Sequence, residues 1–257
     1  MTELEKYYNK FNEDKRLTRR HGYVEYITSM KYIHDYLDEE KKSKILDIGA
    51  GTGRYSIALA DEGYDVTAIE LVKYNLGILK SKKSNVKAYQ GNALKLSRFE
   101  DESFDVTLLF GPMYHLCKFE DKVQALKEAK RVTKNKGVIM VAYCMNEYSI
   151  LTYGFKENNI RECMSEGRIT SDFHCAPTEE DLYDYLRIED IDKINEAADI
   201  RRIKIVSADG PANYMRNILN KMDEDTYKKF IEYHLSTCER KDLIGAGAHT
   251  LDILIKS

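Results

Sequence analysis

Two carboxylates and a run of glycines carry the first chemical signal. Asp47 lies in the apolar stretch Lys44–Ile48, two residues before Gly49-Ala50-Gly51-Thr52-Gly53. Glu70 ends a second apolar stretch, residues 64–69. Glycines let a chain turn sharply and let a ligand approach the backbone closely. A carboxylate at a strand tip can accept both hydroxyl protons of a ribose diol. The glycines are spaced G-x-G-x-G, which departs from the G-x-G-x-x-G of the dinucleotide fingerprint. Farther on, Gly111-Pro112-Met113-Tyr114-His115-Leu116 follows a third apolar stretch, residues 104–110. His115 is of the type that exchanges a proton near neutral pH. Tyr114 could orient an acceptor or turn its ring face toward a cation.

Positioning these groups takes a βαβ scaffold. Lys44–Ile48 reads as strand one, and Tyr55 and Leu59 open a helical period after the glycines. That helix would aim unpaired N–H groups at whatever sits above the loop. Residues 64–69 read as strand two, 72–83 as a helix, 86–89 as strand three and 104–110 as strand four. Residues 120–133 place Val123, Leu126, Ala129 and Val132 on one helical face. Lys134-Asn135-Lys136-Gly137 then reads as a turn into strand five, 138–143. Strands one and four flank the switch point of such a sheet, so the 111–116 loop is expected beside the ligand.

The flanks are less regular. Leu4, Tyr7, Tyr8 and Phe11 recur at helical spacing, as do Tyr23, Tyr26, Ile27, Met30, Ile33 and Leu37. The core pattern lapses from Met145 to about Ile200, where Thr178 reads as a helix N-cap with Asp181 closing a capping box. Residues 202–208 read as strand six, 212–222 and 224–238 as helices, and 245–256 as a last strand, antiparallel beside strand six. Gly245-Ala246-Gly247 precedes a strand and is a strand-entry turn. His234, Cys238, Glu239, Arg240 and His249 lack metal-ligand spacing and read as structural.

Composition narrows the function. The formal net charge is −3, which gives no general attraction to nucleic acid or an anionic membrane. No apolar run approaches the roughly 18 residues of a membrane span. The five cysteines are scattered without a C-x-x-C pair, as free thiols in a reducing cytoplasm would be. The acidic, amphipathic N-terminus lacks an apolar signal core, and a cytoplasmic protein is expected.

The glycine loop with Asp47, the acid Glu70 and the EAKRVTKNKGVIMVAY stretch resemble the class I methyltransferases that depend on S-adenosylmethionine (SAM). The motif-bearing resemblance covers 44–143. It implies an α/β fold: a Rossmann-like, seven-stranded, mostly parallel sheet with helices on both faces. It also implies an N-terminal helical cover and a lid insertion after strand five. The chain would be one domain, 1–257, with the cover at 1–43 and the SAM-binding core at 44–144. The lid would be 145–200, and the last strands and helices 201–257.

By that resemblance the cofactor is SAM and the product S-adenosylhomocysteine. Gly49, Ala50, Gly51 and Gly53 would approach the methionine and ribose. Asp47 would orient the loop and reach the amino group through water. Glu70 would hold the ribose hydroxyls, Leu71 the adenine face, and Asn92 and Ala93 the adenine edge. Asn92 stands where the family commonly has an acid, and its amide oxygen can still accept from an exocyclic N–H. Tyr8 and Arg16 are the candidates for reaching in from the cover. Phe110, Met113, Tyr114 and His115 would border the methyl, and Tyr148 and His174 would add lid contacts to the acceptor. No metal is expected.

Methyl transfer needs little acid–base help, because the sulfonium is already a good leaving group and alignment does most of the work. His115 is the candidate base if the acceptor enters protonated. The absence of an Asn/Asp-Pro-Pro-aromatic signature after strand four argues against DNA or glutamine amino groups, and the acceptor expected is a small molecule. Two alternatives stand beside it. An RNA or protein methyltransferase would need a basic face, for which Lys80, Lys82, Lys83 and Lys87 offer a local start. A SAM-binding module without catalysis would bind cofactor and turn nothing over. Neither the acceptor atom nor the oligomeric state follows from the residues.

Overall fold

The structure is a computed structural model and describes residues 3–8, 17–38, 40 and 42–256. Seven strands form one sheet: β1 (Lys44–Ile48), β2 (Asp65–Glu70), β3 (Lys87–Gln90), β4 (Phe104–Leu109), β5 (Thr133–Cys144), β6 (Arg201–Ser207) and β7 (His249–Ile255). Their spatial order is β3-β2-β1-β4-β5-β7-β6. The first five run parallel, and β7 is antiparallel to both neighbours. The chain leaves β1 toward β2 and β3, then returns to lay β4 on β1's other side, so the strand order reverses between β1 and β4.

One expectation is met with an addition and one is corrected. The last strand borders strand six as expected, but it also inserts between β5 and β6. Lys134–Gly137 is not a separate turn. It lies within β5, where Lys136 takes φ 63° and the pairing with β4 slips between Phe104 and Val106. There the single residue Asp105 of β4 faces the four residues Lys134–Gly137, and an irregularity of this kind absorbs a change of direction without ending the strand.

Ten helices lie among the described residues: α1 (Glu3–Tyr8), α2 (Arg20–His34), α3 (Arg54–Asp61), α4 (Lys73–Ser81), α5 (Phe119–Val132), α6 (Asn146–Ser149), α7 (Ile160–Ser165), α8 (Ile188–Ala197), α9 (Arg216–Leu219) and α10 (Glu224–Thr237). Alternation along the strands divides the core between two faces. On β1, Leu46 and Ile48 point into the layer under α5 and α8, with Leu126, Ala129, Ile191 and Ile194. Ile45 points the other way, among Ile33 of α2 and Tyr55 and Leu59 of α3. α5 also has Glu120 and Asp121 in its first turn and Lys130 and Arg131 in its last, which complements the helix dipole.

Residues 145–187 hold α6, a π-helical turn (Ile150–Lys156) and α7 around their own small cluster of Ile150, Cys163 and Ile169. The expected helix at Thr178 is absent. Asp181 accepts from Thr178 N–H and Thr178 Oγ1 from Glu180 N–H, but the reciprocal bond from Asp181 N–H goes to the Thr178 carbonyl and the chain continues without a helix until Ile188. Tertiary bonds win there: Asp184 N–H donates to Tyr114 O and Leu186 N–H to Cys144 O. The helix comes later, as α8, which joins the main core, so the irregular stretch closes at Arg187. The expected helix at 212–222 is reduced to the four-residue α9 within turns.

Gly53 caps α3 at φ 87°, and a Cβ there would stand 2.2 Å from Leu79 Cδ1. Gly53→Ala is expected to lower stability by about 1–3 kcal/mol, from the left-handed backbone and the displaced Leu79. Chemical denaturation measures it, and an unchanged midpoint would refute it.

Candidate functional site

The β1–α3 loop turns because three glycines take positive φ: Gly49 at 79°, Gly51 at 57° and Gly53 at 87°. Gly49 and Ala50 donate to Ile69 O at 2.8 and 3.1 Å, which ties the loop to β2. A Cβ on Gly49 would lie 2.5 Å from Pro112 Cδ, so the loop also rests against the segment after β4. One cavity opens where these pieces meet, at the C-terminal ends of β1, β2 and β4. Its lining includes Asp47, Gly49–Thr52, Glu70, Leu71, Asn92, Ala93, Phe110 and Tyr114–Leu116. This is the crevice that a strand-order reversal leaves in an open α/β sheet.

Glu70 is buried, 5% exposed, and one carboxylate oxygen accepts from Gly51 N at 2.8 Å. The other accepts from Val72 N at 2.7 Å. The acid therefore fixes the glycine loop while its head lies in the cavity wall. Asn92 Oδ1 accepts from Leu94 N at 3.0 Å, which orients the amide, and Ala93 packs into the core beside it. Leu71 is half exposed at the rim.

Asp47 is 1% exposed and accepts a 2.5 Å hydrogen bond from Ser56 Oγ. Burial raises it from the ordinary 3.8 to about 6, against the help of Ser56. Its charge is therefore a strain on the ligand-free fold above that value. The rise corresponds to about 3 kcal/mol at most. The sign follows from linkage: the folded state holds the proton more tightly, so stability falls as pH rises from the unfolded value through about 6. Asp47→Asn is expected to stabilise the ligand-free protein near neutral pH, with the gain vanishing below about pH 4. Thermal unfolding against pH checks this, and an equal loss at every pH would contradict it.

His115 has a defined tautomer. Leu182 O can only accept, so His115 Nδ1 carries the proton that donates to it at 2.7 Å. The Nε2 lone pair then accepts from Tyr8 Oη at 2.9 Å. Tyr114 donates to Phe110 O at 3.0 Å and stacks on Tyr183, ring centroids 5.9 Å apart. Tyr183 also lies 5.0 Å from the His115 ring and donates to Tyr7 Oη at 3.2 Å. Tyr8 of α1 and Tyr114 and His115 of the 111–116 loop thus form an aromatic wall on one side of the cavity, backed by Tyr183 from the segment before α8.

The structure gathers Asp47, Gly49, Ala50, Gly51, Glu70, Leu71, Asn92, Ala93, Phe110, Tyr114, His115 and Tyr8 around this cavity. Gly53 stands behind it as the α3 cap. Arg16 lies outside the described residues. Three expected acceptor residues are placed elsewhere. Met113 is fully buried in the core under α5, because the single 3-10 turn Pro112–Tyr114 points it inward while Tyr114 faces the cavity. Tyr148 packs on Tyr214, ring centroids 5.0 Å apart. His174 pairs with Asp190 at 2.8 Å.

Leu4, Arg54 and Asn75 also line the cavity, and the Leu182–Tyr183 segment backs its aromatic wall, roles that the sequence does not assign to them. Alternating Tyr183-Asp184-Tyr185 was the one signal for the last of these. The scattered reactive types near the C-terminus have separate partners: His234 with Thr28, Glu239 with Tyr32 and Lys204, Arg240 with Asp242, and His249 with Asp209. Of the local lysines, Lys82 donates to Thr52 O and Lys87 pairs with Asp65. No helix among the described residues is long and apolar enough to cross a membrane.

A family model described as a methyltransferase domain matches residues 46–141. A demethylmenaquinone methyltransferase of Renibacterium salmoninarum is 38% identical over 112 residues, 43% of this chain and 44% of that protein. The chain thus spans less than half the length of this curated relative. A SAM-dependent methyltransferase structure from Methanosarcina mazei superposes with a TM-score of 0.59 at 17% identity, covering 88% of this chain and 96% of that one. Geranyl diphosphate C-methyltransferase of Streptomyces coelicolor, solved with S-adenosylhomocysteine, gives 0.55 at 14% identity over 89% and 80% of the two chains. Residues 46–141 thus match a methyltransferase domain, and the fold of the chain is the Rossmann-like fold shared by these SAM-dependent methyltransferase structures.

Proposed function

We propose that the cavity binds SAM and that the chain transfers its methyl group to a small-molecule acceptor. The observation that carries this reading is a convergence. The left-handed glycine loop, the buried Glu70, the Asn92–Ala93 edge and the Tyr114–His115 loop line one crevice at the strand-order reversal. Glu70 takes the ribose hydroxyls, Leu71 covers the adenine, and Asn92 accepts from its amino group. The loop backbone from Gly49 to Thr52 lies along the methionine and ribose, with Asp47 beneath it. Phe110 borders the methyl.

The acceptor side is aromatic. Tyr8 and Tyr114 would flank a flat ring, with Tyr183 packed behind Tyr114, and a phenol or hydroquinone oxygen placed between His115 and the methyl could attack the methyl carbon on the sulfonium. The O–C bond would form as the C–S bond breaks, and the acceptor proton would pass to Tyr8 Oη as Tyr8 gives its own to His115 Nε2. A quinone-related acceptor is also what the name of the Renibacterium relative suggests. The net charge of −3 and the engaged Lys82 and Lys87 favour this over an RNA acceptor. We assign the 145–187 insertion a lid role, exercised through Leu182 and Tyr183.

Calorimetric titration with SAM, S-adenosylhomocysteine and NAD tests the cofactor. Saturable binding of the first two without NAD is expected, and NAD binding alone overturns the reading. Transfer of labelled methyl from SAM to a set of phenols and hydroquinones then tests the acceptor class. Tight SAM binding without transfer to any of them would favour a binding module.

A further inference from the structure

A second cluster lies on the far half of the same sheet edge, outside the cofactor cavity. Glu25 of α2, Asp209 just past β6 and His249 at the start of β7 bring two oxygens and one nitrogen together. Among the described residues they form the one group of three such side chains whose ligand atoms lie within 4.8 Å of one another. His249 Nδ1 stands 2.7 Å from Asp209 Oδ2 and 3.5 Å from Glu25 Oε2. Ligands sharing one ion at about 2.1 Å stand about 3–3.5 Å apart, so a small opening of this triangle would admit a metal.

The surroundings hold the ligands in place. Asp209 is fully buried, and Ala248 N and His249 N both donate to its Oδ1 at 3.1 Å. Asn213 Nδ2 donates to Oδ2 at 2.7 Å. Gly247 gives the room, since a Cβ there would lie 2.8 Å from Asp209 Oδ1. A ligating carboxylate oriented by hydrogen bonds from the protein is the usual second shell of a metal site. The three ligands come from three separate elements, so an ion would also tie α2 to the β6–β7 edge.

We infer that Glu25, Asp209 and His249 form a binding site for one divalent cation of the Zn2+ or Mn2+ class. Two carboxylates and an imidazole suit such borderline ions. On binding, the proton on His249 Nδ1 leaves to solvent and its lone pair takes the ion. Water or an anionic oxygen completes the coordination.

The test is calorimetric titration of the full chain with Zn2+ and, separately, Mn2+, with thermal unfolding alongside. One ion per chain and a raised melting temperature are expected for at least one metal. Glu25→Gln and His249→Ala should each weaken binding at least about tenfold. SAM affinity should stay unchanged in both, since neither residue lines the cofactor cavity. If His249→Ala does not fold, Asn213→Ala replaces it, with a weakening of the same sign. Absence of saturable binding, or affinity unchanged in the variants, would overturn the inference and leave a histidinium held between two carboxylates.

Discussion

Glu70→Ala is expected to weaken SAM binding by about 100- to 1,000-fold, the loss of two charge-assisted hydrogen bonds at about 1.5–3 kcal/mol each with incomplete additivity. The buried carboxylate holds Gly51 N and Val72 N, one on each oxygen, so it shapes the loop in addition to the ribose contact we propose for it. Removing it should therefore also loosen the loop, read as faster amide exchange at Gly51 and Val72. Glu70→Gln separates the two roles. Its amide oxygen can keep one backbone N–H, while its NH2 cannot accept a hydroxyl proton. It should restore much of the amide protection but little of the affinity. Calorimetry with SAM and S-adenosylhomocysteine reads the affinity, and a Glu70→Ala constant within threefold of the wild type would remove Glu70 from the site.

The glycine-loop half of the cavity is legible in the sequence because its signals are local. Gly49, Gly51 and Gly53 announce positive φ, Glu70 ends an apolar run, and the helix of Val123, Leu126 and Ala129 repeats at helical spacing. Each signal lies within a few residues of the structure it causes. The aromatic wall was not legible because it is made across the chain: Tyr8, His115 and Tyr183 lie far apart in sequence and meet through Leu182 O and the Tyr7 hydroxyl. Met113 misled for the opposite reason. It shares a short motif with Tyr114 and His115, yet adjacent positions in a helical turn point in different directions. At Thr178 only half of the expected capping box forms, since Asp181 accepts from Thr178 N–H but gives its own N–H to the Thr178 carbonyl. Pairing of Asp184 and Leu186 with Tyr114 and Cys144 then holds the chain extended.

That extended segment depends on a buried pair, and breaking it should have the largest effect on stability. Lys122 of α5 and Asp184 stand 2.5 Å apart, with side chains 2% and 7% exposed. Lys122 also donates to Leu116 O, at the end of the cavity loop. Burial pushes Asp184 above the usual carboxylate range, and Lys122 is the main influence opposing it. Lys122→Met would leave that carboxylate buried without its cation, at a cost of about 3–5 kcal/mol. The sign against pH is fixed by linkage. Without Lys122 the folded state prefers the protonated acid, so the deficit is full above the folded pKa and shrinks as pH falls toward the unfolded value. Combining Lys122→Met with Asp184→Leu removes both charges and should recover most of the stability. Because Asp184 N–H donates to Tyr114 O, the single variant should also slacken the Tyr114–His115 loop, weakening methyl transfer more than SAM binding. Denaturation midpoints of the single and double variants across pH decide the matter. A single variant as stable as the wild type would mean that the pair contributes nothing to holding the aromatic wall against the sheet.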